Sequence, residues 1–142
     1  MNVEQIMSQN VVSISRSESV SAAARLLRRC NLGALPVCDE QGRLRGMVTD
    51  RDIVTRCVAE GMDPTEVKVN EIMTRGVVTA SPADSVSAAA GSMERDRVRR
   101  LPVVSGGRLV GMVTLCDLVR RQGCEMEASA ALSEISKNIL KK

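Results

Sequence analysis

Two copies of a Thr-x-x-Asp motif are the residues of this sequence best suited to bind a small molecule: Thr49 with Asp52, and Thr114 with Asp117. A carboxylate in this position can accept hydrogen bonds from both hydroxyls of a ribose, and the Thr hydroxyl can add one more. The same spacing also fits a helix capping box, in which the Thr and Asp side chains bond each other's backbone amides. We therefore expect each motif to start a helix, with free backbone amides beside it, and to be a candidate ligand site.

The amino acids that the sequence lacks limit which catalytic groups, metal ligands and ring-binding surfaces it can form. It contains no His, which removes the usual general base and the commonest metal ligand, and it contains no Trp, Tyr or Phe. Any bound ring must then lie against aliphatic side chains, Met or Pro. The five cysteines form no C-x-x-C pair, and an odd number fits no closed disulfide framework. We expect reduced thiols, no metal site and no enzymatic activity, with a metal or redox role for the cysteines as the less favoured alternative.

Length and composition are typical of one ordinary globular domain. The 142 residues are 44% hydrophobic and 26% charged. No apolar run approaches the ~20 residues of a membrane-spanning helix, and the N-terminus lacks the basic start and apolar core of a secretory signal. The 20 basic and 17 acidic residues are interspersed, with a net charge of only +3. We expect a cytoplasmic protein without membrane contact, for which nucleic-acid binding is the less favoured reading.

An internal repeat organises the chain. The string Gly46–Thr49 recurs as Gly111–Thr114, and about half of the aligned positions of the two copies are identical. The spacing between the copies shortens by one residue in a Gly-containing turn. We predict four segments, namely repeat 1 over 1–60, a linker over 61–68, repeat 2 over 69–122 and a C-terminal helical tail over 123–142.

Each copy is predicted to contain strand, helix, strand, strand and helix. Apolar residues spaced i, i+3, i+4, i+7 predict helices that begin at Val20 and Val86, capped by Ser17 or Ser19 and by Asp84. β-Branched and apolar runs predict the strands 11–14, 35–38, 44–49, 101–104 and 109–114. The predicted fold is mixed α/β (α+β), with two β-α-β-β-α repeats that share one core about a pseudo-two-fold axis.

The tail carries one apolar helical face, formed by Ala128, Leu132, Ile135 and Ile139. Three interpretations stay open for this face. It packs on its own domain, it contacts a second copy of the chain, or it frays.

These residues resemble the tandem CBS-domain pair known as a Bateman module. The resemblance rests on Ile6-Met7, on two Leu-Pro-Val strings with the residues before them, and on the two strings 46–52 and 111–117. It covers about residues 3–121, and the type it most resembles is the small stand-alone prokaryotic CBS protein. The resemblance implies a non-enzymatic regulatory or sensor module that requires no cofactor. It also implies an adenosine-containing ligand such as AMP or ATP between the repeats, a homodimer, and an unknown regulated protein.

The resemblance further implies two unequal ligand sites. Thr49 and Asp52 would hold a ribose and face Arg99 and Arg100, which would reach its phosphates, while Arg51 lies inside the first motif. Thr114 and Asp117 would face Gly33 and Ala34, which bring no charge. The second site is therefore either empty or suited to a less charged adenosyl ligand. The alternative for the arginines is a solvated strand edge, because they belong to a charged run over 95–100.

Without an aromatic side chain, the adenine would lie among aliphatic residues. The candidates are Val12, Ile14, Leu35, Pro36 and Met47, or their counterparts in repeat 2. The alternative for these residues is ordinary core. The alternative for the whole chain is a structural or protein-interaction module that binds no ligand, in which Thr49, Asp52, Thr114 and Asp117 only cap helices.

Overall fold

The computed structural model describes residues 1–120 and 132–135 and shows the predicted mixture of helices and strands. In chain order the elements are α1 (Val3–Ile6), β1 (Ile14–Ser15), α2 (Val20–Cys30), β2 (Ala34–Cys38), β3 (Leu44–Thr49), α3 (Asp50–Ile53, continued by a π-helical segment Val54–Val58), α4 (Val69–Ile72), α5 (Val86–Asp96), β4 (Arg100–Ser105), β5 (Arg108–Thr114) and α6 (Leu115–Arg120). The helix starts predicted at Asp50 and Leu115 are confirmed.

The chain divides into two compact units. The Thr49 unit comprises Val12–Val77, and the Thr114 unit comprises Met1–Val11 together with Val78–Lys142. In the Thr49 unit, β2 lies between β1, which is parallel to it, and β3, which is antiparallel. In the Thr114 unit, β4 and β5 form an antiparallel pair. The strand predicted over 11–14 is shorter than expected, and its counterpart is a single bridge between Ala80 and Val103.

Each unit has its own apolar core, so the prediction of one core shared by the two repeats is wrong. In the Thr49 unit, one face of α2 packs on the inner face of the sheet, through Val20, Leu27, Leu35, Val37 and Val48 among others. In the Thr114 unit the equivalent residues are Val86, Met93, Leu101, Val103 and Val113. The period of α2 and α5 and the alternation of the strands put these residues on one side, as the sequence predicts.

The segments that open the two repeats pack in the opposite units. Val3 and Ile6 of α1 lie in the core of the Thr114 unit, whereas Val69 and Ile72 of α4 lie in the core of the Thr49 unit. The backbone N–H groups of Thr74 and Met47 donate to each other's carbonyl oxygens, at 2.8 and 3.0 Å. A compact unit of the fold therefore does not coincide with a repeat of the sequence.

The helix caps correct one prediction. Ser19 caps α2 by accepting a hydrogen bond from the Ala22 amide (3.1 Å), and Ser85 caps α5 in the same way. The predicted cap by Asp84 is wrong, because Ser85 is the extended residue directly before α5. Asp84 instead accepts a hydrogen bond from the Ser81 amide at 2.9 Å, in the preceding turn.

The tail is described at 132–135 only, where Ile135 is buried in the core of the Thr114 unit and Leu132 is exposed. Glu134 forms an ion pair with Arg97 at 3.7 Å. These contacts support packing of this turn on its own unit. The predictions for Ala128 and Ile139 lie outside the described residues.

Candidate functional site

Thr49 and Asp52 form a complete capping box at the start of α3. The Asp52 amide donates to the Thr49 hydroxyl, and the Thr49 amide donates to Asp52 Oδ2, both at 3.0 Å. The sequence places these residues at the end of a buried strand, so the reciprocal bonds turn the chain from β3 into the helix. The capping geometry predicted for this motif is confirmed.

Thr114 and Asp117 repeat the same arrangement at the start of α6. The Thr114 amide donates to Asp117 Oδ2 at 2.8 Å, and the Asp117 amide donates to the Thr114 hydroxyl at 3.2 Å. Asp117 is somewhat more exposed than Asp52, whose side chain retains 11% of its surface. Each unit therefore presents the same Thr–Asp pair at the same point of its fold.

The capping bonds leave part of each motif available. Asp52 uses Oδ2 for the cap, and no hydrogen-bond donor among the described residues reaches its Oδ1. The Thr49 hydroxyl accepts a hydrogen bond in the cap and keeps its own proton to donate. One carboxylate oxygen and one hydroxyl proton can thus be offered to a ligand without breaking the helix cap.

The backbone amides at the start of α3 are not free, contrary to expectation. The Asp50 amide donates to the Gly33 carbonyl oxygen at 3.1 Å, and the Arg51 amide donates to Asp50 Oδ1 at 2.8 Å. With the Asp52 amide bonded to Thr49, the first turn has its donors satisfied. These three amides are therefore already bonded within the protein.

The arginine candidates lie at two places. Arg51 is exposed in α3, beside Asp52 in the chain. Arg99 is exposed, and its carbonyl oxygen accepts a hydrogen bond from the Leu115 amide at 2.8 Å, while the half-buried Arg100 is the cross-strand partner of Thr114. The structure thus brings Arg99 and Arg100 beside the second motif of their own unit. Their predicted pairing with Thr49 and Asp52 stays a prediction.

The apolar candidates divide between the two faces of the β2–β3 hairpin. Ile14 and Leu35 belong to the core of the Thr49 unit, and Val12 is half-buried against that core. Pro36 and Met47 are direct cross-strand partners, so alternation along the strands places them on the opposite face from Leu35. Both are buried, with Met47 at 8% exposure.

Arg56 is a site residue that the sequence interpretation missed. Its Nη1 lies 3.6 Å from Asp52 Oδ1 and donates to the Ile72 carbonyl oxygen at 2.9 Å and to the Thr74 hydroxyl at 3.1 Å. The signal was present as an acid and a base spaced i, i+4 on one helix. The contacts with Ile72 and Thr74 join residues distant in sequence, and no local pattern predicts them.

Asp39 and Cys38 have shifted pKa values. Cys38 ends β2, and Asp39 begins the turn between β2 and β3. Burial opposes ionisation of Asp39, but the Arg43 amide, the Arg45 guanidinium and the Gln41 amide outweigh it and hold the pKa below its usual 3.8. Burial raises the pKa of the Cys38 thiol, partly offset by a hydrogen bond with Ser13. Asp39 therefore organises the turn, and the environment of Cys38 disfavours the reactive thiolate.

The described part of the chain, 1–120 and 132–135, contains no group of three or more His, Cys, Asp or Glu side chains that could hold a metal ion. None of its helices is long and apolar enough to cross a membrane. Within the same residues, Cys30, Cys38, Cys57 and Cys116 are free thiols.

Comparison with known proteins shows close relatives of similar length. CBS domain-containing protein YhcV of Bacillus subtilis is 39% identical over 135 residues, which cover 95% of this chain and 95% of YhcV. Hypoxic response protein 1 of Mycobacterium tuberculosis is 39% identical over 115 residues, covering 81% of this chain and 80% of that protein. A crystal structure of Hypoxic Response Protein I with two coordinated zinc ions matches with a TM-score of 0.79 and 37% identity, over 85% of this chain and 98% of that one.

Two other solved structures bear on ligands and assembly. The CBS domain pair of protein MJ0100, in complex with 5′-methylthioadenosine and S-adenosyl-L-methionine, matches with a TM-score of 0.72 and 33% identity, covering 84% of this chain and 98% of that one. A hexameric CBS-CP12 protein from bloom-forming cyanobacteria matches with a TM-score of 0.70 and 35% identity, covering 85% of this chain and 67% of that one.

The CBS domain model matches residues 3–59 and 69–123, so both repeats found in the sequence fall within a match. With the sequence identities above and the doubled Thr–Asp geometry, this match shows that the chain belongs to the CBS domain family and carries a pair of CBS domains.

Proposed function

We propose that this protein is a non-enzymatic regulatory module that binds an adenosine-containing ligand through Thr49 and Asp52. The proposal rests on how Asp52 uses its two carboxylate oxygens. One carboxylate oxygen holds the helix cap, and the other receives no hydrogen bond from the described residues. A ribose offers two adjacent hydroxyls, which suit a carboxylate acceptor and a neighbouring Thr hydroxyl.

The ligands of MJ0100 support this class of molecule. Both 5′-methylthioadenosine and S-adenosyl-L-methionine contain adenosine, and therefore a ribose with two free hydroxyls. The proposal extends this to AMP and ATP through Arg99, Arg100 and Arg51, whose charges would contact phosphates, as the family resemblance implies. Thr114 and Asp117 would form the second, less charged site.

Aliphatic residues would hold the adenine in this proposal. Two of the candidates, Pro36 and Met47, share the hairpin face opposite the core, and both are buried. Met adapts its shape to an irregular partner, which suits a ring that has no aromatic side chain to stack on. Val12, Ile14 and Leu35 would support that surface from the core.

A ligand-free interaction module is the second candidate function. The complete capping boxes favour it, because Thr49 and Asp52, like Thr114 and Asp117, already have a structural role. Under this candidate, adenosyl compounds bind neither motif. The protein would then act only through contacts with other chains.

A homodimer is part of the proposal, with the exposed side of the π-helical segment Val54–Val58 as its contact. Val54 and Val58 are 57% and 59% exposed and lie four positions apart in this segment. Burying such residues against a second copy is favourable. Sedimentation should give a dimer at tens of micromolar and a monomer for Val54→Glu with Val58→Glu. A monomeric parent protein would contradict the dimer. A cytoplasmic location and an unidentified regulated protein complete the proposal.

The direct test is extraction followed by titration. The chain has no Trp or Tyr, so adenine released by denaturation and filtration is visible in the ultraviolet spectrum and identifiable by mass spectrometry. The ligand-free protein is then titrated calorimetrically with AMP, ATP, 5′-methylthioadenosine and S-adenosyl-L-methionine. Saturable binding of at least one is expected. An extract without adenine, together with no binding of any of the four, would contradict the proposal and favour the ligand-free module.

A further inference from the structure

Arg56 connects the Thr49–Asp52 motif to residues 72–74, which belong to repeat 2 of the sequence. One nitrogen, Nη1, lies 3.6 Å from Asp52 Oδ1 and within hydrogen-bond distance of the Ile72 carbonyl oxygen and the Thr74 hydroxyl. Ile72 ends α4, the helix that opens repeat 2 in the sequence but packs in the core of the Thr49 unit. The nitrogen that lies near Asp52 is therefore itself anchored by Ile72 and Thr74.

The distance to Asp52 matters for what the carboxylate can still do. At 3.6 Å the guanidinium acts as a nearby positive charge, while the hydrogen-bonding capacity of Oδ1 stays available. The opposite charges attract each other, which favours the side-chain orientation of Asp52 that keeps Oδ1 beside the guanidinium. The Asp52 side chain is 11% exposed and the Arg56 side chain is 47% exposed, so solvent screens the pair in part.

Among the described residues, one arginine lies near the carboxylate of the second motif. Arg120 Nη1 lies 4.0 Å from Asp117 Oδ1, and its side chain is 77% exposed. In the alignment of the two repeats, the residue that matches Arg56 is Arg121, which lies outside the described residues. The anchoring of Arg56 is therefore described for the Asp52 site alone.

We propose that Arg56 is a positioning residue for ribose recognition, which orients the Asp52 carboxylate and is itself anchored by Ile72 and Thr74. The proposal rests on the proposed function, because it assumes that Asp52 Oδ1 receives a ribose hydroxyl. It adds that Ile72 and Thr74, from the start of repeat 2, help to form the ligand site whose Thr and Asp belong to repeat 1. Arg56 needs no contact with the ligand to have this effect.

The experiment compares adenosine with 2′-deoxyadenosine, which differ by one ribose hydroxyl. Both are titrated calorimetrically into the full chain carrying Asp117→Asn, so that the second site contributes less. The affinity for adenosine should exceed that for 2′-deoxyadenosine by about tenfold or more, because the deoxy compound loses a hydrogen bond to the charged Asp52. Arg56→Met should reduce this ratio to about threefold or less, whereas Arg56→Lys, which keeps the charge, should retain most of it. A merely structural role would not change the ratio.

Two further variants guard against a general loss of folding. Thr74→Val removes one anchor of Arg56 without removing the charge and should lower the adenosine preference in part. Arg25→Met removes an exposed arginine of the same unit, which contacts Ser21, and should leave the preference unchanged. Circular dichroism melting confirms that each variant is folded.

Two results would overturn the proposal, and they are distinguishable. If Arg56→Met and Thr74→Val keep the full adenosine preference, Arg56 does not position Asp52, and the proposed function still stands. If the parent protein binds adenosine no better than 2′-deoxyadenosine, or binds neither, the ribose role of Asp52 itself is wrong. The inference about Arg56 then falls with it.

Discussion

A Cβ atom on Gly46 would lie 2.5 Å from the carbonyl oxygen of Thr74, so the backbone of the residues after α4 rests directly on β3. The Thr114 unit has the same contact, in which Gly111 lies under Ser8 and Met7. Glycine at these two positions allows the opening segment of each repeat to pack in the opposite unit. Because β3 ends at Thr49, this contact lies three residues before the candidate site.

Replacing Gly46 by Ala should destabilise the protein. The nearest atom is backbone, which cannot move aside as a flexible side chain can, so a cost of about 1–3 kcal/mol or more is expected. Gly91→Ala is the control, because Gly91 lies inside α5 and, among the described residues, nothing outside its own stretch of helix comes within 4 Å of its Cβ position. That change should stabilise by about 0.5–1 kcal/mol. Urea unfolding followed by circular dichroism measures both, and equal effects would contradict the close contact.

Removing the Thr49 hydroxyl should weaken the start of α3. Thr49→Ala leaves the Asp52 amide without its acceptor, at an expected cost of about 0.5–2 kcal/mol of unfolding free energy. Thr49→Ser keeps the hydroxyl and should cost clearly less. Thermal melting of both variants without added ligand measures the effect of the cap alone. A Ser variant as unstable as the Ala variant would rule out the cap as the cause.

Asp39 should make the stability depend on pH in the acid range. Its pKa in the folded protein is held below 3.8 by the Arg43 and Gln41 amides and by Arg45, which outweigh the effect of burial. Its contribution is therefore present above pH 3.8 and is lost as the pH falls through the lowered folded value. Asp39→Asn should be less stable than the parent at neutral pH, and the difference should shrink below pH 3.8. Denaturant titrations across this range test the expectation, and a difference that stays constant down to strongly acidic pH would refute it.

The short helical segment 132–135 provides a test of how this part of the tail packs. Ile135 is 5% exposed in the core of the Thr114 unit, whereas Leu132 is 49% exposed. Ile135→Ala should cost about 2–5 kcal/mol of unfolding free energy, and Leu132→Ala should cost less than about 0.5 kcal/mol. If the two variants are equally stable, Ile135 does not contribute to this core in solution.

Local signals in the sequence predicted much of the fold. The period of α2 and α5, the alternation of the strands and the Thr-x-x-Asp spacing each depend on residues a few positions apart, and the structure follows them. The wrong cap at Asp84 has the same origin. Asp84 and Ser85 are both good capping residues, and backbone geometry at Ser85 decides between them.

The features that the sequence did not predict depend on residues distant in the chain. Val3 aligns with Val69 in the repeat, and nothing in that alignment indicates that each packs in the other repeat's unit. The anchoring of Arg56 by Thr74 is a consequence of that exchange. The satisfied amide of Asp50 likewise depends on Gly33, which lies across the hairpin. Such contacts are set by tertiary packing rather than by local propensity.

The central claim is that Asp52 binds a ribose, and calorimetric titration of AMP and ATP into matched asparagine variants tests it most directly. Asp52→Asn keeps an oxygen for the Thr49 amide but loses the charge and one strong acceptor, so the cap is largely preserved. We expect Asp52→Asn to weaken binding roughly 10- to 150-fold, and more than Asp117→Asn does. Arg99→Ala should weaken ATP binding in addition. If both asparagine variants bind AMP and ATP as the parent does, Asp52 and Asp117 only cap helices and the account is contradicted.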